Sequence, residues 1–261
     1  AGTQSGVFLS TNNGTSWTAV SSGLTSQNIF ALMVSGTRIF AGTQNGLNLS
    51  TNNGANWVSV GFAGQYVYAL AVSGTKMFAG ITSGVYLSTN NGTNWTQTSM
   101  NYHGIQSFAV LDSNIFAGTQ GSGVYLSTNY GTSWTEVNNG LTSQYIRSIA
   151  VSGTNIYAGT SISSTFNGGV FLSTNNGSSW TAVNYGLTNQ NVHALGVAAS
   201  GVFAGTLNGG IFLSGDNGTS WSSVGITVQT VYALAESGTN IFAGTTAGVY
   251  LSANNGISWT C

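Results

Sequence analysis

Few side chains in this 261-residue chain have the types that do chemistry, so each can be named. The carboxylates are Asp112, Glu136, Asp216 and Glu236. Two carboxyl groups about 5–10 Å apart would serve glycoside hydrolysis, one as acid and the other as base or nucleophile. His103 and His193 are 90 positions apart, with no acid or thiol close by in sequence. They therefore predict neither a metal site nor a catalytic triad, and are read as surface or channel-side imidazoles. Serine and threonine are abundant, but a hydroxyl without a base is not a nucleophile. Cys261 is the single cysteine, so no intrachain disulfide can form. The bases are Arg38, Lys76 and Arg147. Three cations cannot neutralise a phosphate backbone or hold an anionic membrane surface. No apolar run approaches the roughly 20 residues of a membrane helix. The expectation is a chain with no catalytic residue, no metal, no cofactor, no nucleic-acid partner and no membrane insertion.

What must position these residues is an overt repeat. Ser-Thr-Asn-Asn-Gly-x-x-Trp and close variants place tryptophan at 17, 57, 95, 134, 180, 221 and 259. The spacings run from 38 to 46 residues and use every tryptophan in the chain. Each full unit holds four short runs, seen in one copy as Val67–Val72 (A), Lys76–Gly80 (B), Gly84–Ser88 (C) and Asn94–Thr98 (D). They alternate or run apolar between Gly, Asn and Ser, as strands do. No segment has a helical period, and proline is absent.

Four antiparallel strands per roughly 40 residues predict propeller blades, which cover their sheet faces by stacking. A stacked solenoid of the same hairpins is the competing architecture. The small strand-A residues Ala31, Ala69, Ala71, Ala194 and Ala233 suit crowding near an axis. The strand-B aromatics Phe40, Phe78, Phe116, Tyr157, Phe203 and Phe242 are expected to fill the space between blades. In the turn, the third motif residue is expected to accept backbone N–H bonds two residues on. The glycine after it tolerates positive φ, and the tryptophan is expected to seal its own hairpin.

This Ser-x-Asp-x-Gly-x-x-Trp pattern resembles the Asp-box, or bacterial neuraminidase repeat, over essentially the whole chain. Asp216 keeps the acid, and Asn12, Asn52, Asn90, Asn129, Asn175 and Asn254 replace it elsewhere. The resemblance implies a structural turn at all seven places, usually far from any ligand. Sialidases in that family use three arginines, a Tyr–Glu pair and an acidic Asp. With Arg38 and Arg147 as its only arginines, this chain reads as a non-sialidase member.

The predicted fold is all-β: one propeller domain over 1–261, with a partial blade at 1–20 and full blades at 28–60, 66–98, 105–137, 145–183, 191–224 and 230–261. Strand A occurs six times, and strands C and D seven. The expectation is seven blades, the first lacking its innermost strand; six closed blades is the alternative. The chain opens at Ala1 without an initiator Met, which reads as a processed or partial chain.

Strand order puts A–B and C–D turns on one face and B–C and D–A loops on the other. The second face is the expected binding face. It carries a pre-strand residue that is usually glutamine (Gln27, Gln65, Gln144, Gln190 and Gln229, with His103 in the remaining copy), read first as tying down its own loop. It carries a position in strand A that varies between copies: Phe30, Tyr68, Gln106, Arg147, His193 and Tyr232. It also carries Tyr102 and Tyr185, and the long loop Thr160–Gly169 with Phe166. Candidate ligand contacts are therefore Arg147, His193, Tyr68, Tyr232, Tyr102, His103 and Tyr185.

Only 3% of residues are charged, so the surface must be hydroxyl- and amide-rich. That favours a secreted or cell-surface, non-enzymatic binding module for glycans or another protein, carbohydrate-binding or adhesive. Six Asn-x-Ser/Thr triplets, starting at Asn13, Asn48, Asn91, Asn94, Asn176 and Asn217, follow from the repeat's composition and do not by themselves mark glycosylation. The alternative is a structural or assembly subunit that self-associates, since low charge resists association weakly.

Overall fold

The computed structural model describes residues 1–101, 103–161 and 167–261. The expected Tyr102 and Phe166 positions lie outside the described residues. The fold is an all-β propeller of seven blades, with no helix among the described residues. Two compact units divide the chain: Ala1–Ile115 with Ser127–Trp134, and Phe116–Leu126 with Thr135–Cys261.

Blade 1 has three strands, Gly2–Thr3, Gly6–Leu9 and Thr18–Ala19. Blade 2 has Ile29–Ser35, Arg38–Thr43, Gly46–Ser50 and Val58–Gly61. Blade 3 has Val67–Ser73, Lys76–Ile81, Gly84–Ser88 and Thr96–Asn101. Blade 4 has Ile105–Leu111, Asn114–Thr119, Val124–Ser127 and Thr135–Glu136. Blade 5 has Ile146–Ser152, Asn155–Thr160, Gly169–Ser173 and Thr181–Ala182. Blade 6 has Val192–Ala198, Gly201–Thr206, Gly210–Ser214 and Ser222–Ser223. Blade 7 has Val231–Ser237, Asn240–Thr245 and Gly248–Ser252, its fourth strand reduced to the bridge Leu251↔Thr260.

Packing between neighbouring blades rests on one glycine of strand B. A Cβ on Gly80 would stand 2.6 Å from Cγ2 of Ile105, the first residue of the next strand A. Gly2, Gly42, Gly118, Gly159 and Gly205 meet Ile29, Val67, Ile146, Val192 and Val231 in the same way. The sequence placed the crowding at the strand-A alanines instead. Of those, Ala69 and Ala194 are buried, Ala31 and Ala71 are half-buried and Ala233 is exposed. Five of the six strand-B aromatics fill the space between blades as expected: Phe40, Phe78, Phe116, Tyr157 and Phe203 are fully buried, whereas Phe242 is half-buried. Each of the five rings lies against the turn glycine of the following blade, namely Gly92, Gly131, Gly177, Gly218 and Gly256.

The repeated turn is built differently from the expectation. In blade 5 the buried Ser173 Oγ accepts the Gly177 N–H at 2.8 Å and donates to Asn175 Oδ1 at 2.9 Å. Asn175 Oδ1 in turn accepts the N–H of Ser179, four residues on rather than two. Asn176 and Gly177 both take positive φ, 54° and 82°, which asparagine and glycine tolerate best. The same bonds recur around Asn12, Asn52, Asn90, Asn129, Asp216 and Asn254.

The tryptophan does not cap its own hairpin; it reaches back to the preceding blade. Indole Nε1 of Trp57, Trp180 and Trp221 donates to the carbonyls of Val20, Val137 and Val183, each at 2.7 Å. Their backbone N–H groups donate to Ser22, Asn139 and Tyr185. These three follow D–A loops that read Gly-Leu-Thr (Gly23, Gly140, Gly186). Trp95, Trp134 and Trp259 follow other loops, and their buried Nε1 atoms have no hydrogen-bond partner among the described residues.

Candidate functional site: the loop face

Hydrogen bonds within each unit sort the loops into two faces. On one, the A–B turn of a blade grips the C–D turn of the next. Arg38 Nη1 donates to the Asn91 carbonyl at 2.7 Å, Lys76 Nζ sits 4.2 Å over the Tyr130 ring, and Ser200 Oγ donates to the Asn255 carbonyl. Two of the three basic side chains are thus committed to turns. On the other face, D–A loops hold B–C loops. The Gln65, Gln144 and Gln229 carbonyls accept the N–H groups of Gly46, Gly121 and Gly210. These three pre-strand glutamines therefore hold loops through their backbone rather than their amides, except that Gln229 also accepts Thr246 Oγ1 through its amide.

The variable residue of strand A has a structural cause. Register between strands A and B shifts between Ile29 and Ala31, Val67 and Ala69, Ile146 and Ser148, Val192 and Ala194, and Val231 and Ala233. Phe30, Tyr68, Arg147, His193 and Tyr232 are the extra residues at these bulges. A bulge leaves one residue unpaired and re-aims its side chain, freeing it from the packing that fixes its neighbours. Gln106 holds the equivalent place in blade 4.

In the first unit these residues build an aromatic platform. The Tyr66 and Tyr68 rings stack, 5.6 Å apart at 21°, and Phe30 tilts against both at 5.9 and 5.2 Å. Phe30 and Tyr66 are 44% and 37% exposed, so the platform opens to solvent. Gln44 Nε2 donates to the Tyr66 hydroxyl at 3.0 Å, and Asn28 Nδ2 donates to Gln44 Oε1, which anchors the phenol. Burial and the neighbouring Tyr66 push the Tyr68 hydroxyl above its usual pKa, so it stays protonated and can donate. Sequence reasoning found Tyr68 but missed Tyr66 and Gln44. The available signal was the i, i+2 spacing of Tyr66 and Tyr68, which puts both on one side of an extended strand.

In the second unit the bulges bring Arg147, His193 and Tyr232 onto successive strands A. The His193 and Tyr232 rings lie 6.0 Å apart at 43°. Burial, helped by the Arg147 charge, holds His193 below the ordinary 6.5, so at neutral pH its imidazole is neutral and can donate or accept. Arg147 is exposed, and its Nε donates to Ser161 Oγ at 3.3 Å. Tyr145 stands 38% exposed two residues before Arg147. Tyr185 is 81% exposed on its D–A loop, and its carbonyl holds Trp221. His103 is half-buried just before strand A of blade 4.

Three of the four carboxylates accept hydrogen bonds within the fold. Glu236 Oε1 accepts the Val197 N–H at 2.6 Å, and Glu136 Oε1 accepts Asn138 Nδ2 at 2.7 Å. Burial raises the Glu236 pKa, and the Val197 bond opposes the rise. Asp112 lies in an A–B turn at φ 54°. Asp216 accepts from Ser214 Oγ, Ser220 N and Ser220 Oγ, which pull its pKa down to about 2. Among the described residues no cluster of three or more His, Cys, Asp or Glu could hold a metal ion.

That pKa gives a pH prediction. A folded pKa of about 2 against an ordinary 3.8 stabilises the fold fully above 3.8, and that stability is lost as pH falls through about 2. Asp216→Asn reproduces the other six turns, where in four cases the amide Nδ2 donates to the serine that Asp216 accepts from. The variant should fold unchanged at pH 7. Thermal melts between pH 4 and 2 should show it losing less stability than the parent; equal losses would contradict the assignment.

Residues 1–104 match the DUF6242 beta propeller domain. No curated protein matches the chain. Among solved structures it resembles an ancestral GH74 enzyme (TM-score 0.80, 21% identity, 98% of this chain and 43% of that one). It also resembles the extracellular domain of BT4673 from B. thetaiotaomicron (0.76, 16%, 92% and 34%). A third likeness is to PorZ, a surface component of the type-IX secretion system of Porphyromonas gingivalis (0.69, 12%, 92% and 42%). The chain spans less than half the length of each of these three structures. What these likenesses share with the chain is the β-propeller fold, and two of the three neighbours are extracellular or surface components.

Proposed function

We propose that this propeller is a secreted or surface-exposed, non-enzymatic binding module that recognises neutral carbohydrate on its B–C/D–A loop face. The observation that carries the reading is the solvent-open platform of Phe30, Tyr66 and Tyr68. Sugar rings have apolar C–H faces and hydroxyl rims. Exposed, mutually braced aromatic rings cover the faces, and amides and phenols at their edges bond the rims. Gln44, Asn28 and the protonated Tyr68 hydroxyl supply such edges here. In the second unit, Arg147, His193 and Tyr232 by themselves offer one cation beside neutral donors, groups that also suit sugar hydroxyls. The Glu136, Asp216 and Glu236 carboxylates are held by hydrogen bonds within the fold and Asp112 lies in an A–B turn, which supports binding without hydrolysis despite the GH74 likeness.

Calorimetry against a panel of neutral oligosaccharides tests the site. Tyr66→Ala should weaken the best binder about tenfold or more, a factor of ten being about 1.4 kcal/mol. Tyr130→Ala, on the opposite face under Lys76, should leave affinity unchanged. Equal affinity of the parent and Tyr66→Ala would remove the platform from the site.

A further inference from the structure

Ten Asn-Gly pairs occur in the chain, and one of them, Asn167–Gly168, borders residues 162–166, which lie outside the described residues. Asparagine is a thermolabile residue, most of all before glycine, whose nitrogen meets no Cβ as it closes on the asparagine Cγ. Closure needs an asparagine side chain free to turn and a glycine N–H open to base. The nine other pairs differ in both respects.

The repeated turn withholds the nitrogen. After Asn13, Asn53, Asn91, Asn176, Asn217 and Asn255, the glycine N–H donates to the motif serine at 2.7–2.9 Å. Five of these six glycines are buried, and Gly14 is half-buried. Two further pairs are held by other bonds. The Gly46 N–H donates to the Gln65 carbonyl at 2.8 Å, and Asn45 Oδ1 accepts the Gly64 N–H at 2.7 Å. Asn208 Oδ1 accepts Thr230 Oγ1 at 2.8 Å.

Asn139–Gly140 is built otherwise. It forms the middle of a β-turn in which the Leu141 N–H donates to the Asn138 carbonyl at 3.0 Å, with Gly140 at φ 92°. Both residues are exposed. Neither the Asn139 side chain nor the Gly140 N–H makes a hydrogen bond among the described residues. The Asn139 carbonyl accepts the Trp180 N–H at 2.8 Å, which ties the turn to blade 5. The matching turns that hold Trp57 and Trp221 carry Ser22 and Tyr185 before their glycines.

We propose that Asn139 is a self-modification site, which converts through a cyclic imide to aspartate and isoaspartate ahead of the other eight pairs. The Gly140 nitrogen, its proton taken by hydroxide, bonds to Asn139 Cγ, and Nδ2 leaves as ammonia with a proton from water. A second water opens the ring. Attack at Cγ gives aspartate. Attack at the main-chain carbonyl gives isoaspartate, in which the chain reaches Gly140 through Cγ. That product adds one carbon to the backbone and turns the carbonyl that held the Trp180 N–H into a free carboxylate. Modification thereby loosens the grip of this loop on Trp180, independently of the loop-face reading.

The test incubates the full chain at mildly alkaline pH and follows it by peptide mapping, with isoaspartyl-specific methyl labelling. Acid should appear at Asn139 about tenfold faster than at any of the other eight pairs, the factor that one hydrogen bond fewer to break supplies. The aged parent should gain a second, lower-melting population. Aged Asn139→Ser, which copies Ser22, and fresh Asn139→Asp should both melt as the fresh parent does. Faster conversion at any of the other eight pairs, or none at Asn139, would overturn the assignment. An aged parent rich in isoaspartate that melts like the fresh one would overturn the loosening.

Discussion

Trp221→Ala should cost about 3–5 kcal/mol of stability, in the range of aromatic truncations in packed cores. Trp221 is 4% exposed and packs in one cluster with Tyr157, Leu187, Val192 and Phe212. Its truncation opens a void and leaves the Val183 carbonyl, bonded at 2.7 Å, without its donor. The ring joins two blades, so the loss should fall on the whole cooperative unit rather than on one hairpin. Phenylalanine separates packing from hydrogen bonding. Trp221→Phe keeps a ring and should cost about 1–3 kcal/mol more than Trp95→Phe, whose Nε1 has no partner to lose. Urea unfolding of the four proteins checks both statements. Equal costs for the two phenylalanine variants would show that the indole bonds contribute nothing to stability.

Gly80→Ala should destabilise by about 1–3 kcal/mol, the usual cost of overpacking. The backbone there is ordinary for an L-residue, so the penalty comes from space alone. An added Cβ would lie 2.6 and 2.7 Å from Cγ2 and Cβ of Ile105 and 3.1 Å from Phe108. Those first two atoms sit at the base of a β-branched side chain and cannot swing away, so two blades must part. Gly36→Ala is the contrast. Its Cβ would meet nothing within 4 Å, and only its φ of 59° resists the change. A double variant sharpens the test, because Gly80→Ala with Ile105→Ala should recover part of the loss through the space released. A Gly80→Ala melt matching the parent would mean that the interblade spacing is looser than the structure shows.

The blade plan was legible because the repeat writes it out. Tryptophan spacing, strand-like runs and Asn-Gly turns recur in phase, and each copy checks the others. The three strands of the first sheet were legible too, since Gly2–Thr3 aligns with the end of a strand such as Arg38–Thr43. What a single repeat cannot reveal is what passes between repeats. The backward reach of Trp57, Trp180 and Trp221 depends on the preceding D–A loop, so the motif alone could not assign it. The role of Gly80 is likewise invisible until Ile105 of the next blade is in place.

The loop-face site was half legible. Variation at Phe30, Tyr68, Arg147, His193 and Tyr232 was visible in the repeat, but its cause, a bulge, belongs to the pairing of strands A and B. The platform also needs Tyr66 and Gln44, and Gln44 lies 22 residues from Tyr66 in the chain. No local pattern joins those two. Tyr185 shows the converse, an exposed aromatic correctly placed on the loop face whose carbonyl serves the scaffold.

The central claim, recognition of neutral carbohydrate by the loop face, is tested most directly on a glycan array probed with the parent chain and a Tyr66→Ala/Tyr68→Ala variant. The account predicts reproducible signal on a set of neutral glycans, competed by free sugar and absent from the variant. A blank array for a folded, monodisperse parent, or signal that survives loss of both tyrosines, would contradict it.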